Sequence, residues 1–244
     1  MQKEVVLFLP VDDNDRRPPT YSSFRADMVL AVSTTSLCWV DLRTGILICD
    51  NIDMLAAGTT EDALVFRFIP LPDECAMTPN PLYWSRLAEE YRTMSCLYPE
   101  TIKFVCMDSY TQDHPLEKSM LTTWTLHSPL TEHWHWCKET TVCLGDLLDD
   151  LPILKDNMRL LVPSRPVISM DRSIVVTHLI VTGFESKHDQ GQWEATALYK
   201  LSIDSNGATV LEIPSAGSQV LPYSQIFSCY IQEVLTLSIY SALF

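Results

Sequence analysis

The amino-acid sequence predicts an all-β protein made of many short antiparallel strands with little helix. Runs of about four to eight β-branched, aromatic and aliphatic residues alternate with turn residues along most of the chain. The chain has 244 residues, 47% of them hydrophobic, so it can bury a sizeable core. A β-propeller-like arrangement is the first prediction, because a four-stranded blade takes about 40–50 residues. A β-sandwich is the alternative.

In the first half of the chain, recognisable turns separate the predicted strands. The strands cover residues 28–32, 37–42, 46–49, 66–69 and 102–107. Gly45 supplies a positive φ between the second and third of these, which are therefore predicted to form a hairpin. Trp39 is predicted to pack on one sheet face, and Asp41 to accept backbone hydrogen bonds at the turn. Ile46 and Ile48 then return to the core.

Two more hairpins are predicted in the second half of the chain. Residues 167–170 pair with residues 174–181 across an Asp-Arg-Ser turn. Residues 193–203 meet residues 209–213 across a turn that contains Asn-Gly, a strong hairpin signal.

The remaining segments carry weaker signals. Predicted strands at residues 120–126 and 140–144 flank an aromatic cluster at residues 134–136. Short helices are predicted at residues 81–92 and 144–151. Loops are predicted at residues 12–21, 75–81 and 185–191.

The chain is predicted to contain three consecutive segments. Residues 1–36 form an N-terminal strand and loop segment, residues 37–225 a β-rich domain, and residues 226–244 an apolar tail of the same domain. Gln232 and Glu233 interrupt the tail near its centre. A membrane-spanning helix is therefore not expected there, and membrane association is predicted to be unlikely.

Cysteine usage predicts a reducing compartment, which is the cytoplasm or the nucleus. The eight cysteines lie mostly inside apolar runs and include no CxxC pair. This pattern indicates buried, reduced thiols. The first ten residues also lack the apolar core of a secretory signal.

The charge balance favours a protein partner. There are 31 acidic and 17 basic residues, which gives a formal net charge of −14. Such a chain repels phosphate, so nucleic acid is not expected as a partner, and a protein with basic patches fits best. Contact loops are predicted, from exposure alone, at residues 73–80, 112–117 and 185–192.

The sequence predicts no catalytic residue and no cofactor. It contains no Gly-x-Ser-x-Gly, P-loop, GxGxxG or HExxH motif. Catalytic residues can be scattered, and His133 and His135 are then the first candidates for acid–base chemistry. Asp146, Asp149 and Asp150 are interpreted as a solvated acidic turn.

One histidine and cysteine cluster is considered as a metal site and is not assigned a metal. His133, His135, Cys137 and Cys143 lie within eleven residues. A strand through this segment places the first three on one face and the neighbouring tryptophans on the other. No second Cys or His pair stands at zinc-finger spacing, so the histidines are predicted to face solvent.

Several segments in this order carry a family resemblance. They are Trp39–Asp50, Phe66–Pro72, Ile102–Val105, Trp124–Leu126, Leu144–Leu148 and Pro163–Ser169. Over residues 37–204 the chain resembles a plant family, expanded in grasses, known as domain of unknown function 1618 (DUF1618). The resemblance implies no established activity, cofactor or catalytic residue. It implies a β-rich, propeller-type domain like those that accompany plant F-box proteins.

The resemblance leads to two functional expectations. The first is a non-enzymatic protein-interaction domain, and the alternative is a hydrolase-like enzyme with scattered Asp and His residues. Only 38 residues precede Trp39, which is too few for an F-box helix bundle, so a shortened family member is expected.

Overall fold

A computed structural model of the chain shows an all-β protein with little helix, as predicted. It describes residues 5–8, 24–52, 64–75, 88–98, 100–107, 119–149, 151, 160–171, 174–187, 192–205 and 207–212. Within these ranges, thirteen strands form three sheets, and neighbouring strands are antiparallel with one exception. The choice between a propeller and a sandwich stays a prediction.

The chain divides into two compact units. The first comprises Met1–His114 and Ser119–Cys143, and the second comprises Pro115–Lys118 and Leu144–Phe244. The first two sheets belong to the first unit and the third sheet belongs to the second. The segment boundaries predicted at residues 36 and 225 stay predictions.

The first sheet has the strand order β1-β5-β4-β3-β2. Its strands are β1 (Val5–Phe8), β2 (Met28–Ala31), β3 (Leu37–Asp41), β4 (Gly45–Cys49) and β5 (Leu64–Pro70). Strands β2 to β5 form an antiparallel meander, and β1 pairs with β5 in parallel. A short 3-10 helix, Asp73–Cys75, follows β5.

The β3–β4 hairpin forms as the sequence predicts. Asp41 is buried, and its carboxylate accepts hydrogen bonds from the backbone N–H groups of Arg43, at 2.9 Å, and Arg25, at 3.0 Å. Gly45 has a φ of +156° and pairs with Asp41 across the ladder. Ile46 and Ile48 are fully buried. The turn residues and the alternation of buried and partly exposed side chains both favour this hairpin. The sequence could predict it because both are local properties.

The second sheet is a meander with the strand order β6-β7-β8-β9. Its strands are β6 (Arg92–Tyr98), β7 (Thr101–Cys106), β8 (Met120–His127) and β9 (His135–Cys143). A short 3-10 helix, Ala88–Glu90, precedes β6. A β-bulge between Thr123 and Trp124 shifts the β8–β9 register.

The first two sheets share one hydrophobic core. Sheet one contributes side chains such as Val40, Ile46 and Ile69, and sheet two contributes Phe104 and Leu126. All five side chains are completely buried. Each fully buried aliphatic or aromatic side chain contributes about 1.5–3 kcal/mol of transfer free energy, so this core holds the two sheets together.

The third sheet is a meander with the strand order β10-β11-β12-β13. Its strands are β10 (Leu160–Asp171), β11 (Ile174–Lys187), β12 (Gln192–Asp204) and β13 (Gly207–Glu212). Helix α1 (Leu144–Asp149) belongs to the same unit and confirms the short helix predicted there. On one sheet face Leu179, Val181, Tyr199 and Leu201 are buried. Both predicted hairpins of this region are present, with Asp171 opposite Ile174 and Asp204 opposite Gly207.

The prediction of a helix at residues 81–92 is wrong for the part of this range that the structure describes. Ala88–Glu90 is a 3-10 helix, and Arg92 begins strand β6; residues 81–87 lie outside the described residues. The alternation of β6 is hard to recognise because its first inward-facing residue is a charged one. Arg92 is only 2% exposed, and its guanidinium donates to the backbone carbonyls of Leu42, at 2.9 Å, and Cys75, at 2.8 Å.

The loop predicted at residues 185–191 is shorter than expected. Strand β11 continues to Lys187, which pairs with Gln192 at the start of β12. Polar side chains suggested a loop, but backbone ladder hydrogen bonds do not depend on them. The loop predicted at residues 12–21 and the apolar tail at residues 226–244 lie outside the described residues.

Helix α1 has six residues, and no helix in the described part of the chain is long and apolar enough to cross a membrane.

Candidate functional site

The turn between β8 and β9, residues 128–134, is held by its own hydrogen bonds. The backbone N–H and the hydroxyl of Thr131 both donate to the carbonyl oxygen of Ser128, at 3.0 and 3.1 Å. The backbone N–H of His133 donates to the Thr131 hydroxyl at 3.2 Å. Ser128 adopts a φ of +52°, which lets the chain reverse directly after the strand. One side chain, that of Thr131, therefore organises the turn.

A side chain from the other sheet of the same unit fastens this turn from outside. Nη1 of Arg67, on β5, donates to the carbonyl oxygens of Pro129 at 3.2 Å and Thr131 at 3.3 Å. Leu130 packs partly buried against the shared core. The turn is thus fixed by polar and apolar contacts with elements that are distant in sequence.

The start of β9 is anchored by tryptophans. Trp134 and Trp136 pack against the shared core. The indole N–H of Trp136 donates to the carbonyl oxygen of Pro70 at 2.9 Å, and its ring lies 6.0 Å from that of Phe104. As predicted, the tryptophans of this segment face the core while His135 faces solvent.

The turn displays polar side chains to solvent. Thr131, Glu132 and His133 are exposed at its tip. The exposed rings of His127 and His135 are stacked across β8 and β9, with 5.4 Å between their centroids and 28° between their planes. We call residues 127–135 the histidine turn. It offers imidazole groups and a carboxylate on a fixed backbone.

An ion pair with a buried lysine lies on the same sheet as the histidine turn. Lys103 on β7 is nearly buried, and its ammonium group donates to a carboxylate oxygen of Glu139 on β9. The hydroxyl of Thr125 donates to the same oxygen at 2.6 Å. Burial would raise the pKa of Glu139, but the hydrogen bonds from Lys103 and Thr125 outweigh it and hold that pKa below its ordinary value. Glu139 is therefore ionised at neutral pH.

The predicted histidine and cysteine set does not converge. His133 lies in the turn before β9 and not on the strand, so the prediction that it shares a strand face with His135 is wrong. Cys143 is the last residue of β9, eight residues after His135 in an extended strand. Among the described residues, no group of three or more metal-ligating side chains is close enough to hold an ion.

A hydrogen-bonded serine and histidine row crosses the third sheet. His178 on β11 lies directly opposite Ser202 on β12, and its Nδ1 is 2.9 Å from the Ser202 hydroxyl oxygen. Its Nε2 is 2.8 Å from the hydroxyl oxygen of Ser169 on β10. All three residues are half-buried. A serine hydroxyl within hydrogen-bonding distance of an imidazole nitrogen is the minimal arrangement of an activated nucleophile.

The loops predicted as contact surfaces are described only in part. Asp73 and Glu74 are exposed in the 3-10 helix after β5, and residues 76–80 and 112–117 lie outside the described residues. Residues 185–187 continue β11. Asp146 and Asp149 are exposed on helix α1, in agreement with the solvated interpretation.

Sequence reasoning missed the residues that organise both sites. Arg67 stands between the aromatic residues at 66 and 68 and so lies on the opposite face of the strand, which was a usable sign of a polar role on that face. The contact between Ser169 and His178 is diagonal across the ladder, because Val167 is the direct partner of His178. No sequence spacing indicates a diagonal contact of this kind.

Comparison with known families gives one match. A family described as "Protein of unknown function (DUF1618)" matches residues 39–177, which is more than half of the chain. No curated protein and no solved structure matches. The matched range begins at Trp39 in β3 and ends at Thr177 in β11, so it includes the histidine turn.

Proposed function

Since the chain belongs to the DUF1618 family of proteins of unknown function, we propose that it is a non-enzymatic protein-interaction domain. The observation that carries this proposal is the histidine turn, residues 127–135, which is exposed and yet fixed. Arg67 holds two of its backbone carbonyls, and Thr131 holds its shape. Loops placed on rigid scaffolds are where binding residues concentrate.

A fixed turn favours binding because ordering a loop costs free energy. Each immobilised, rotamer-rich side chain costs about 0.5–1.5 kcal/mol on association, and a loop that is already ordered avoids part of that cost. Glu132 and His133 at the tip add hydrogen-bonding and charged groups. These groups can form directional hydrogen bonds and ion pairs with a partner, and the rigid backbone lowers the entropic cost of forming them.

The chemistry of the partner follows from charge. A net charge of −14 attracts a protein with basic patches and accelerates their encounter, whereas nucleic acid is repelled. Glu132 supplies a carboxylate at the turn for such a patch. The proposal includes a location in the cytoplasm or nucleus of a plant cell.

The test is to recover a partner and then to remove the tip of the turn. The tagged chain is used for affinity purification from grass-tissue extract, with quantitative mass spectrometry and a tag-only background. The double variant Glu132→Ala, His133→Ala is expected to lose at least about tenfold of a stoichiometric partner, as contact residues at a binding centre do.

The matched control is Asp146→Ala, Asp149→Ala on helix α1. These two carboxylates are also exposed, so the control variant removes acidic charge without touching the turn. It is expected to retain the partner. Equal recovery with both double variants would contradict the assignment of the turn, and recovery of no partner above background would contradict the interaction role.

A second candidate function is serine-dependent hydrolysis, and the row of Ser169, His178 and Ser202 favours it. His178 can accept the proton of Ser169 at 2.8 Å while Ser202 orients the ring. A serine hydroxyl cannot stabilise the imidazolium ion as the aspartate of a catalytic triad does. Low reactivity is therefore expected from this row even if it acts as a nucleophile.

This second candidate is tested by a fluorophosphonate probe that labels activated serines. If the row is catalytic, labelling maps to Ser169, disappears in Ser169→Ala and falls in Ser202→Ala. Thr209→Ala, which changes an exposed hydroxyl on β13 of the same sheet, serves as the control and keeps the label. Absence of labelling above the heat-denatured chain would eliminate serine hydrolysis.

A further inference from the structure

Two buried thiols from different sheets of the first unit lie in contact. Cys75 ends the 3-10 helix after β5 in the first sheet, and Cys106 ends β7 in the second. Their sulfur atoms are 3.3 Å apart, and the two residues are 3% and 1% exposed. No disulfide joins any of the seven cysteines in the described part of the chain. We propose that Cys75 and Cys106 are a site of reversible disulfide formation, with a low-molecular-weight disulfide of the glutathione type as oxidant.

The backbone on both sides of the pair is held in place. Arg92 lies directly opposite Cys106 in the β6–β7 ladder. Its buried guanidinium donates to the backbone carbonyl of Cys75 at 2.8 Å and to that of Leu42 at 2.9 Å. The backbone N–H of Cys75 also donates to the carbonyl oxygen of Pro72 at 2.8 Å. Two sulfur atoms that already lie 3.3 Å apart need only a small movement to reach the S–S bond length of about 2.05 Å.

Two of the other described cysteines lie too far apart to form a bond with each other. Cys137 and Cys143 lie in one extended strand, about 20 Å apart at roughly 3.3 Å per residue, and cannot pair with each other. The proposed selectivity for Cys75 and Cys106 rests on the 3.3 Å contact between their sulfur atoms.

The reaction is a pair of thiol–disulfide exchanges. The thiolate of one cysteine attacks a sulfur of the oxidant, whose S–S bond breaks and releases one small thiol. The thiolate of the second cysteine then attacks the protein sulfur of the mixed disulfide and displaces the second small thiol. The two protein thiols lose two electrons and two protons, and the oxidant gains them as two thiols. Because both sulfurs are buried, the first step proceeds through local opening and is slow.

The new bond would join two sheets that side-chain contacts already hold together. Cys75 and Cys106 are separated by 31 positions in the chain, so the link closes a loop of moderate length. Loop closure of this kind stabilises a fold mainly by restricting the unfolded chain. The site would thus lock the first unit under oxidising conditions and release it when the glutathione pool is reduced.

The experiment equilibrates the reduced, full-length chain in glutathione buffers of increasing oxidised fraction, under native conditions. Remaining thiols are alkylated, and the digested chain is mapped by mass spectrometry. The expected result is a peptide pair linked through Cys75 and Cys106 as the main intramolecular link, reversed by dithiothreitol. The link is lost in Cys75→Ser and Cys106→Ser and retained in the control Cys137→Ser.

The wild-type map decides the question even if the serine variants fail to fold. The proposal is overturned if Cys75 and Cys106 are still alkylated as thiols when other cysteines have become linked. It is equally overturned if the native chain gives the same mixture of links as the chain in urea, because the pairing would then owe nothing to the fold.

Discussion

At the scale of single residues, two lysine–glutamate pairs of the first unit differ in their distance from water. Lys103 and Glu139 have side chains that are 11% and 37% exposed, whereas Lys138 and Glu74 are 42% and 62% exposed. An exposed pair contributes little, because water and salt screen both charges. Removing Glu139 leaves the buried ammonium group of Lys103 without a compensating charge, which costs more.

The pair of Lys103 and Glu139 gives a prediction about pH. Glu139→Gln is expected to lower the free energy of unfolding by about 1–2 kcal/mol near neutral pH, a figure reduced because Glu139 is partly exposed. The folded-state pKa of Glu139 is lowered, so its contribution is present above the ordinary value of 4.5 and is lost as the pH falls through the folded value. The difference between wild type and variant should therefore shrink in acid.

The measurement is urea unfolding of both chains at neutral pH and at about pH 3. Glu74→Gln is the control, and its effect should stay below about 0.5 kcal/mol at both pH values. Variant and wild type must be compared at each pH, because burial raises the pKa of Asp27 and gives it a contribution of opposite sign. A Glu139→Gln difference that grows in acid would contradict the assignment of the charge.

At the scale of elements, two hairpins close with a glycine of positive φ and differ in their surroundings. Gly45 in the β3–β4 hairpin has a φ of +156°, and Gly207 in the β12–β13 hairpin has a φ of +138°. A Cβ on Gly45 would lie 2.4 Å from the carbonyl oxygen of Ile69 and 2.8 Å from the ring of Phe68. A Cβ on Gly207 would meet nothing within 4 Å.

This contrast separates backbone strain from a steric clash. Gly207→Ala is expected to cost about 1–2 kcal/mol from its φ alone, whereas Gly45→Ala adds a clash with backbone and should cost roughly 3 kcal/mol or more. Gly45→Val should be worse still. Denaturant unfolding of the three variants measures these costs. Equal losses in the two alanine variants would show that the close approach of β5 to Gly45 does not constrain the hairpin.

Elements also show where sequence reading succeeds. The hairpins at Gly45 and Gly207 and the helix Leu144–Asp149 were predicted, because turn residues and short-range patterns are written in neighbouring positions. Strand β6 was missed because Arg92 occupies a core-facing position. Its charge is satisfied by the carbonyls of Leu42 and Cys75, which are distant in sequence.

At the scale of the whole molecule, composition fixes the net charge and the fold forms the surfaces. The value of −14 follows from the sequence, and the proposed partner with basic patches rests on it. The histidine turn depends on Arg67, which is 62 positions from Pro129 along the chain. Local patterns do not encode a contact across such a distance, so this candidate surface was not predicted.

The sequence by itself determined the all-β class, the family and three of the hairpins, since alternation, turn residues and ordered motifs are local features. Only the tertiary structure decided which side chains meet: Arg67 with the turn, Lys103 with Glu139, Ser169 with His178, and Cys75 with Cys106. The physical reason is that strand register and sheet packing bring these atoms together, and both are set by burying the whole core rather than by any short segment.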